Sequence, residues 1–282
     1  MGLTKELFPR AKKLYNQTIR RPGLDRLIHF FFNTSADLLS RLKGFSFPAK
    51  FTWEWKLEML LQKYEKETTD FFKRNIRPGM TVIDIGAHVG YYAVLFSKLT
   101  GDKGKVYAFE ADADNFILLE KNVGRRQNVC LINQAVSNQD GFIDFYKIQS
   151  NTGCHSLIAP SKSQTEKISV PTTTIDSFIE KNKLAKIDFI KIDIEGGEYL
   201  ALLGMQKLFS HPDAPAIIME FGPEAILAAK LDPQEFLKKI RNFGFRIFEI
   251  LPRGEIQLVS PEDEITKFNY YRTGFVNLLL KK

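Results

Sequence analysis

Cysteine is scarce in this 282-residue sequence, which has only Cys130 and Cys154. Two thiols build neither a disulfide framework nor a four-ligand zinc cluster, so the expected setting is reducing and cytoplasmic. No run of about 18 uncharged apolar residues occurs, which leaves no candidate membrane span. The first residues lack the charged, then apolar, then small succession of a secretory signal. Internal repeats and low-complexity tracts are absent too.

Charge is uneven. The net charge is +7, yet residues 1–43 hold nine cations and three anions, so the remaining chain is close to neutral. The basic character belongs to an N-terminal arm and gives no whole-protein case for nucleic-acid binding. The division expected is a basic, amphipathic arm over 1–50 and one catalytic-sized domain over 51–282. Within GLDRLIHFFFNTSADLLSRLKGF (23–45), apolar residues recur at helical spacing with cations on the flanks. Two readings stand: a helix docked on the body, or a peripheral membrane- or partner-binding segment. FPAKFTWEW (47–55) reads as an extended connector, and LEMLLQKYEKETTDFFKRN (57–75) as one helix ending at the Arg77-Pro78-Gly79 turn. The aromatic residues Phe45, Phe47, Phe51, Trp53 and Trp55 could stack on a sugar ring or seal the arm to the body.

Beyond residue 80 the pattern alternates. Strands are expected at 81–85, 105–110, 128–132, 187–193, 215–221, 245–250 and 274–280, with helices at 91–99, 113–123, 174–182 and 197–209. Continuous apolar strands between helices predict an α/β fold with a parallel sheet buried on both faces. GFIDFYKI (141–148) and KISVPTT (167–173) read as an inserted hairpin.

The first strand runs into Asp84-Ile85-Gly86-Ala87-His88-Val89-Gly90. In doubly wound sheets the ligand sits at this carboxyl end. A dinucleotide fingerprint needs glycine at 88, where this chain has His88. A carboxylate just before the turn repels a pyrophosphate and attracts a cation. S-adenosylmethionine, with an ammonium, a sulfonium and no phosphate, suits such a turn. Glu110, ending the second strand, is placed to accept from ribose hydroxyls.

DIGAHVGYY, YAFEAD, QAVS, TIDSF and above all FIKIDIEGGEYLALLG resemble the FkbM-type S-adenosylmethionine-dependent methyltransferases over roughly residues 60–222. The resemblance implies a class I methyltransferase (Rossmann-like) sheet of seven strands, order 3-2-1-4-5-7-6, with the seventh antiparallel. It also implies O-methylation of a sugar, glycan or polyketide-like hydroxyl. By position, Asp84, Gly86, Ala87, His88 and Gly90 would form the methionine turn. Glu110 and Ala111 would meet the ribose and adenine edge, Gln134, Ala135 and Val136 would flank the adenine, and Asp193 would face the methyl donor. The family carries Asn at the place of His88 and Pro at that of Ala111.

An alcohol acceptor needs a base. Asp193 and Glu220, at the ends of neighbouring strands, and His155, in a glycine-containing loop of the insertion, are the candidates chosen. Asp193 and Glu220 could alternatively hold Mg²⁺. Glu195 and Glu198 suit capping of the helix at 197–209, and His88 suits hydrogen bonding within its turn. Other classes fit less well. A nicotinamide enzyme lacks its middle glycine, a base N-methyltransferase lacks an Asp/Asn-Pro-Pro-aromatic run after strand four, and neither cysteine ends strand four or five. A nucleic-acid or protein methyltransferase, or a cofactor-binding scaffold whose basic N-terminal arm binds a membrane or partner, remains the alternative.

Overall fold

The computed structural model describes residues 22–49, 51–148, 165–261 and 274–282. Three helices lead in: α1 (Pro22–Lys43), α2 (Trp53–Leu60) and α3 (Lys66–Asn75). They are followed by β1 (Thr81–Ile85), α4 (Tyr91–Thr100), β2 (Lys105–Phe109), α5 (Ala113–Val123), β3 (Val129–Ile132), the short β4 (Ala135–Val136), β5 (Gly141–Ile148) and β6 (Thr165–Thr173). Next come α6 (Ile175–Asn182), β7 (Phe189–Ile192), α7 (Glu198–Leu203), α8 (Gln206–Ser210), β8 (Ala216–Phe221), α9 (Pro223–Ala228), α10 (Pro233–Asn242), β9 (Arg246–Leu251), β10 (Glu255–Leu258) and β11 (Val276–Lys281).

The main sheet has the order β10-β9-β11-β8-β7-β1-β2-β3. Five strands, from β3 to β8, are parallel, and β11 runs antiparallel between β8 and β9. The seven expected strands keep the order that the family resemblance implies, but the sheet has eight. The extra edge strand, β10, is solvent-exposed throughout and pairs antiparallel with β9 across Pro252–Gly254. Its sequence, EIQL, alternates over only four residues and leaves Ile256 and Leu258 exposed, so its period-2 pattern is too short to stand out beyond the Pro-Arg-Gly turn.

Apolar side chains fill both faces, as the unbroken hydrophobicity of β1 and β7 requires. On one side Ile83, Ile85, Ile190 and Ile192 pack with Phe178, Leu202 and Phe236 of the helices. On the other, Val82, Phe189 and Ile218 meet Phe72 and Phe96. The rings of Phe72 and Phe96 are fully buried and meet edge-to-face at 4.6 Å. Side-chain caps set helix starts: Asp112 accepts from Asn115 N at α5, and Thr174 from Ser177 N at α6.

Three expectations need correction. The connector at 47–55 turns helical at Trp53, because Trp53 and Leu57 bury against Phe32, Ala36 and Leu39 of α1. The helix expected at 57–75 is broken at 61–65, where Gln62 and Glu65 are left-handed (φ 56° and 39°). Packing overrides propensity there: the break lets the Tyr64 ring pack against Trp55, Tyr91 and Tyr92. The helix expected at 197–209 is two short ones, parted at Gly204. A Cβ at that glycine would stand 2.2 Å from Ser137 O, so the backbones touch and the helix bends around the contact.

The insertion folds as foreseen into a hairpin of β5 and β6, joined by β4 into a separate three-stranded sheet. Lys147 on β5 ties it to the body through Asp112 and Asp114, each at 2.7 Å. Among the described residues no helix is long and apolar enough to cross a membrane.

Candidate active site

At the carboxyl end of β1 the chain turns sharply. Gly86 takes φ +83° and Gly90 φ +90°, and His88 itself is left-handed at φ +50°. Gly86 N and Ala87 N both donate to Phe109 O, at 3.0 and 2.8 Å. His88 N donates to Glu110 Oε2 at 2.7 Å, while Glu110 Oε1 accepts from Asp112 N at 2.9 Å. Glu110 therefore braces the β1 turn and the β2 turn at once. Burial pushes its carboxyl up to about 7 against the opposing pull of those backbone N–H groups. The His88 ring leans on Phe51, with centroids 5.7 Å apart.

A cleft of about 570 Å³ opens over these strand ends, within the size range of small-molecule sites. Of the residues predicted from the sequence, Gly86, His88, Glu110, Ala111, Gln134, Ala135, Val136, Asp193 and Glu220 line it. Asp84, Ala87 and Gly90 do not. Asp84 lies beneath the turn, fully buried, and neither carboxylate oxygen has a hydrogen-bond partner. Ala87 packs into the small cluster around Ala108 and Leu119, and Gly90 sits so close to Leu119 that a Cβ would approach its side chain to 2.7 Å. His155, together with Cys154, lies outside the described residues.

The far wall holds residues that the sequence reading missed. Tyr64, Glu65 and Thr68 come from the broken helix, and Phe275 and Asn277 from β11 and the residue before it. Glu65 Oε2 accepts from Tyr92 Oη at 2.9 Å and from Asn277 Nδ2 at 3.0 Å. Glu65, Asp193 and Glu220 each offer an oxygen within 4.8 Å of the others. Nothing in KYEKE marks Glu65, because its place depends on a helix break dictated by tertiary packing. Lys191 was legible: a lysine inside the apolar strand FIKI must find a counter-charge. It is buried, donates to Asp193 Oδ2 at 2.8 Å and lies 4.8 Å from the Tyr92 ring centre. Burial alone would lower its ammonium, but Asp193, Asp84 and Glu65 outweigh that and hold it above its ordinary value.

The acids divide by environment. Burial first, then the surrounding carboxylates of Asp193, Glu195, Glu198 and Glu65, drives Glu220 far above the usual carboxylate range. Glu198 is raised to about 7 by burial, although its Oε1 accepts from Ile194 N and Gly196 N; it closes the turn before α7. Asp84 is raised to about 6, chiefly by burial, with Lys191 pulling the other way. A folded-state value above the ordinary 3.8 means that folded protein holds the proton longer. Asp84's contribution is thus fully present below pH 3.8 and is lost as pH rises through about 6. The span corresponds to about 3 kcal/mol. Asp84→Asn should cancel that part of the decline, so wild type and variant diverge in denaturant midpoint between pH 4 and pH 7. Parallel curves would mean that Asp84 is solvated or paired in solution.

Seven carboxylates line the cleft (Glu58, Glu65, Glu67, Glu110, Asp193, Glu195 and Glu220), and no lysine or arginine does so among the described residues. Such a wall repels phosphates and nucleic-acid backbones and attracts cations.

Residues 84–247 match the methyltransferase FkbM domain. The chain belongs to that family. Two relatives are the hexuronic acid methyltransferase AglP of Haloferax volcanii and the 2-O-methyltransferase NoeI of Sinorhizobium fredii. AglP is 29% identical over 125 residues, which is 43% of this chain and 48% of AglP. NoeI is 23% identical over 192 residues, 63% of this chain and 77% of NoeI. The chain thus spans about half the length of the first and about three quarters of the second. Among solved structures, an O-methyltransferase from Bacillus cereus in complex with SAH is 11% identical, with 95% of this chain and 94% of that one covered, at a TM-score of 0.44. Likeness that slight adds nothing to the assignment. The FkbM match stops short of Glu65 and Asn277, so these far-wall residues lie outside the matched segment.

Proposed function

We propose that this FkbM-family chain transfers a methyl group from S-adenosylmethionine to a hydroxyl of a sugar or glycan. The observation that carries the reading is the cleft's charge: carboxylates without lysine or arginine, at the strand ends of a family methyltransferase sheet. A cofactor with ammonium and sulfonium groups and no phosphate fits this donor set, and a dinucleotide does not. Glu110 has lone pairs left for ribose hydroxyls after accepting its two backbone N–H groups. Gln134, Ala135 and Val136 offer a flank for the adenine, and Asp193 faces the methionine end. Asp84, buried and unpaired under the turn, adds negative potential from below.

When bound, the cofactor supplies an activated methyl group on a good leaving group, so the chain's tasks are alignment, exclusion of water and removal of the acceptor's proton. Glu220 is the base we assign. Burial among carboxylates makes it a strong proton acceptor once a cationic ligand offsets its neighbours. Asp193, tied to Lys191, has an orienting role. His155 remains a candidate on the acceptor side. A divalent cation at Glu65, Asp193 and Glu220 is the second reading, favoured by the closeness of their oxygens; Lys191 already supplies a counter-charge there.

Trp55, 37% exposed at the cleft, offers a face on which a sugar ring can stack. The acidic walls favour an acceptor without carboxylate or phosphate, in contrast to the hexuronic acid of the Haloferax relative. The test is transfer from methyl-labelled cofactor into neutral and acidic glycan fractions, with and without a chelator. The expected product is an alkali-stable methyl ether in the neutral fraction, formed equally in both conditions. Label in protein, nucleic acid or an alkali-labile ester would overturn the reading. Loss on chelation with recovery on adding Mg²⁺ would give the three carboxylates to a metal.

A further inference from the structure

We propose that α1 seats its outward face on an anionic lipid surface. The helix has two apolar faces, and among the described residues one of them packs on the body. Phe32, Ala36 and Leu39 pack on Trp53 and Leu57, with the Phe32 and Trp53 rings stacked at 4.5 Å. The other face presents Phe30, Phe31, Leu38 and Leu42, which are 71, 66, 58 and 76% exposed. Residues 31, 38 and 42 recur at helical spacing, so they form a stripe rather than scattered exposures. Large apolar residues gathered on one exposed face mark an interaction surface.

Charge selects the occupant. Residues 1–43 hold nine cations and three anions, and the rest of the chain is nearly neutral. Arg41 stands in the last turn of α1, next to Leu42 of the stripe, while Lys43 in the same turn donates from Nζ to Leu60 O of the body at 2.5 Å. Asp37, an anion within the helix, is engaged by Lys56 at 2.8 Å, on the side of the body. Aromatic and leucine side chains beside cations suit the boundary between lipid headgroups and acyl chains, where apolar burial and attraction to anionic lipid add together. The stripe adjoins the face held by Trp53, with the Phe31 and Phe32 rings meeting edge-to-face at 5.9 Å, so docking of one face fixes the direction of the other. Trp55, two residues further along α2, lines the cleft, so a chain seated this way brings its cleft close to the headgroups.

The test is co-sedimentation of the full chain with vesicles of phosphatidylcholine, alone or with added phosphatidylglycerol. Wild type is expected to bind the anionic vesicles, to release them as salt rises, and to bind the neutral ones weakly. The combined variant Phe31→Ser, Leu38→Ser and Leu42→Ser changes only exposed positions, so its thermal midpoint should match wild type, while its partitioning falls about tenfold or more. No binding by wild type, or equal binding by both proteins, would overturn the proposal. So would a concentration-dependent dimer that the triple variant abolishes without altering vesicle binding, since the stripe would then belong to a second copy.

Discussion

Gly86→Ala is expected to abolish measurable cofactor binding and to destabilise the fold by about 3 kcal/mol or more. Two costs add at this position. A residue with a Cβ at φ +83° pays about 1 to 2 kcal/mol for the left-handed backbone. The Cβ would also stand 1.9 Å from Asp193 O and 2.9 Å from its carbonyl carbon. Those are backbone atoms, so the ends of β1 and β7 must separate, carrying Asp193 and the His88 turn apart. Gly79→Ala is the matched control. Gly79 has φ +89°, close to that of Gly86, but a Cβ there meets nothing within 4 Å. It should lose only about 1 to 2 kcal/mol and keep its ligand affinity. Denaturant titration and calorimetry on both variants separate the contact from the dihedral cost. If Gly86→Ala behaves like Gly79→Ala, the approach of the two strand ends is looser than described.

If Glu220 is the base proposed, Glu220→Gln should lower kcat by about 100-fold to 10,000-fold, the range for loss of a positioned general base. Cofactor affinity changes much less, since glutamine keeps the shape and hydrogen-bonding capacity of the side chain. A proton should also be followed. Without ligand, burial and neighbouring carboxylates keep Glu220 protonated at neutral pH. A cationic ligand lowers that preference, so wild type should release a proton on binding at pH 8, and Glu220→Gln should release less. Calorimetry in buffers of different ionisation enthalpy measures this directly. An unchanged kcat in the variant would move the base to Asp193 or into the loop carrying His155.

The strand ends of the cleft, our proposed cofactor half, were more legible in the sequence than the far wall, for a physical reason. Gly86, Glu110 and Asp193 sit at ends of buried strands, and continuous apolar runs such as TVIDI and FIKI reveal where those strands stop. Even there, orientation was hidden: Asp84 occupies the strand position before the turn, yet alternation along β1 turns its carboxylate beneath the turn instead of into the cleft. The far wall, our proposed acceptor half, is assembled from a helix break at 61–65 and from β11, far apart in the chain. Glu65 meets Asn277 across 212 positions, and no local spacing encodes that meeting. The eighth strand escaped notice because EIQL is four residues long, and two alternating apolar residues, Ile256 and Leu258, are too few to set a period. The double character of α1 was legible as two competing readings, and the docked face is now assigned to Phe32, Ala36 and Leu39.

The most direct test is calorimetric titration of the purified chain with S-adenosylmethionine and with its demethylated product. Wild type should bind both in the micromolar range, and Glu110→Gln should bind about tenfold or more weakly, because a charged acceptor is lost from the ribose position. Absence of binding to wild type, or undiminished binding when Glu110→Gln is combined with Asp84→Asn, would contradict the assignment of this cleft.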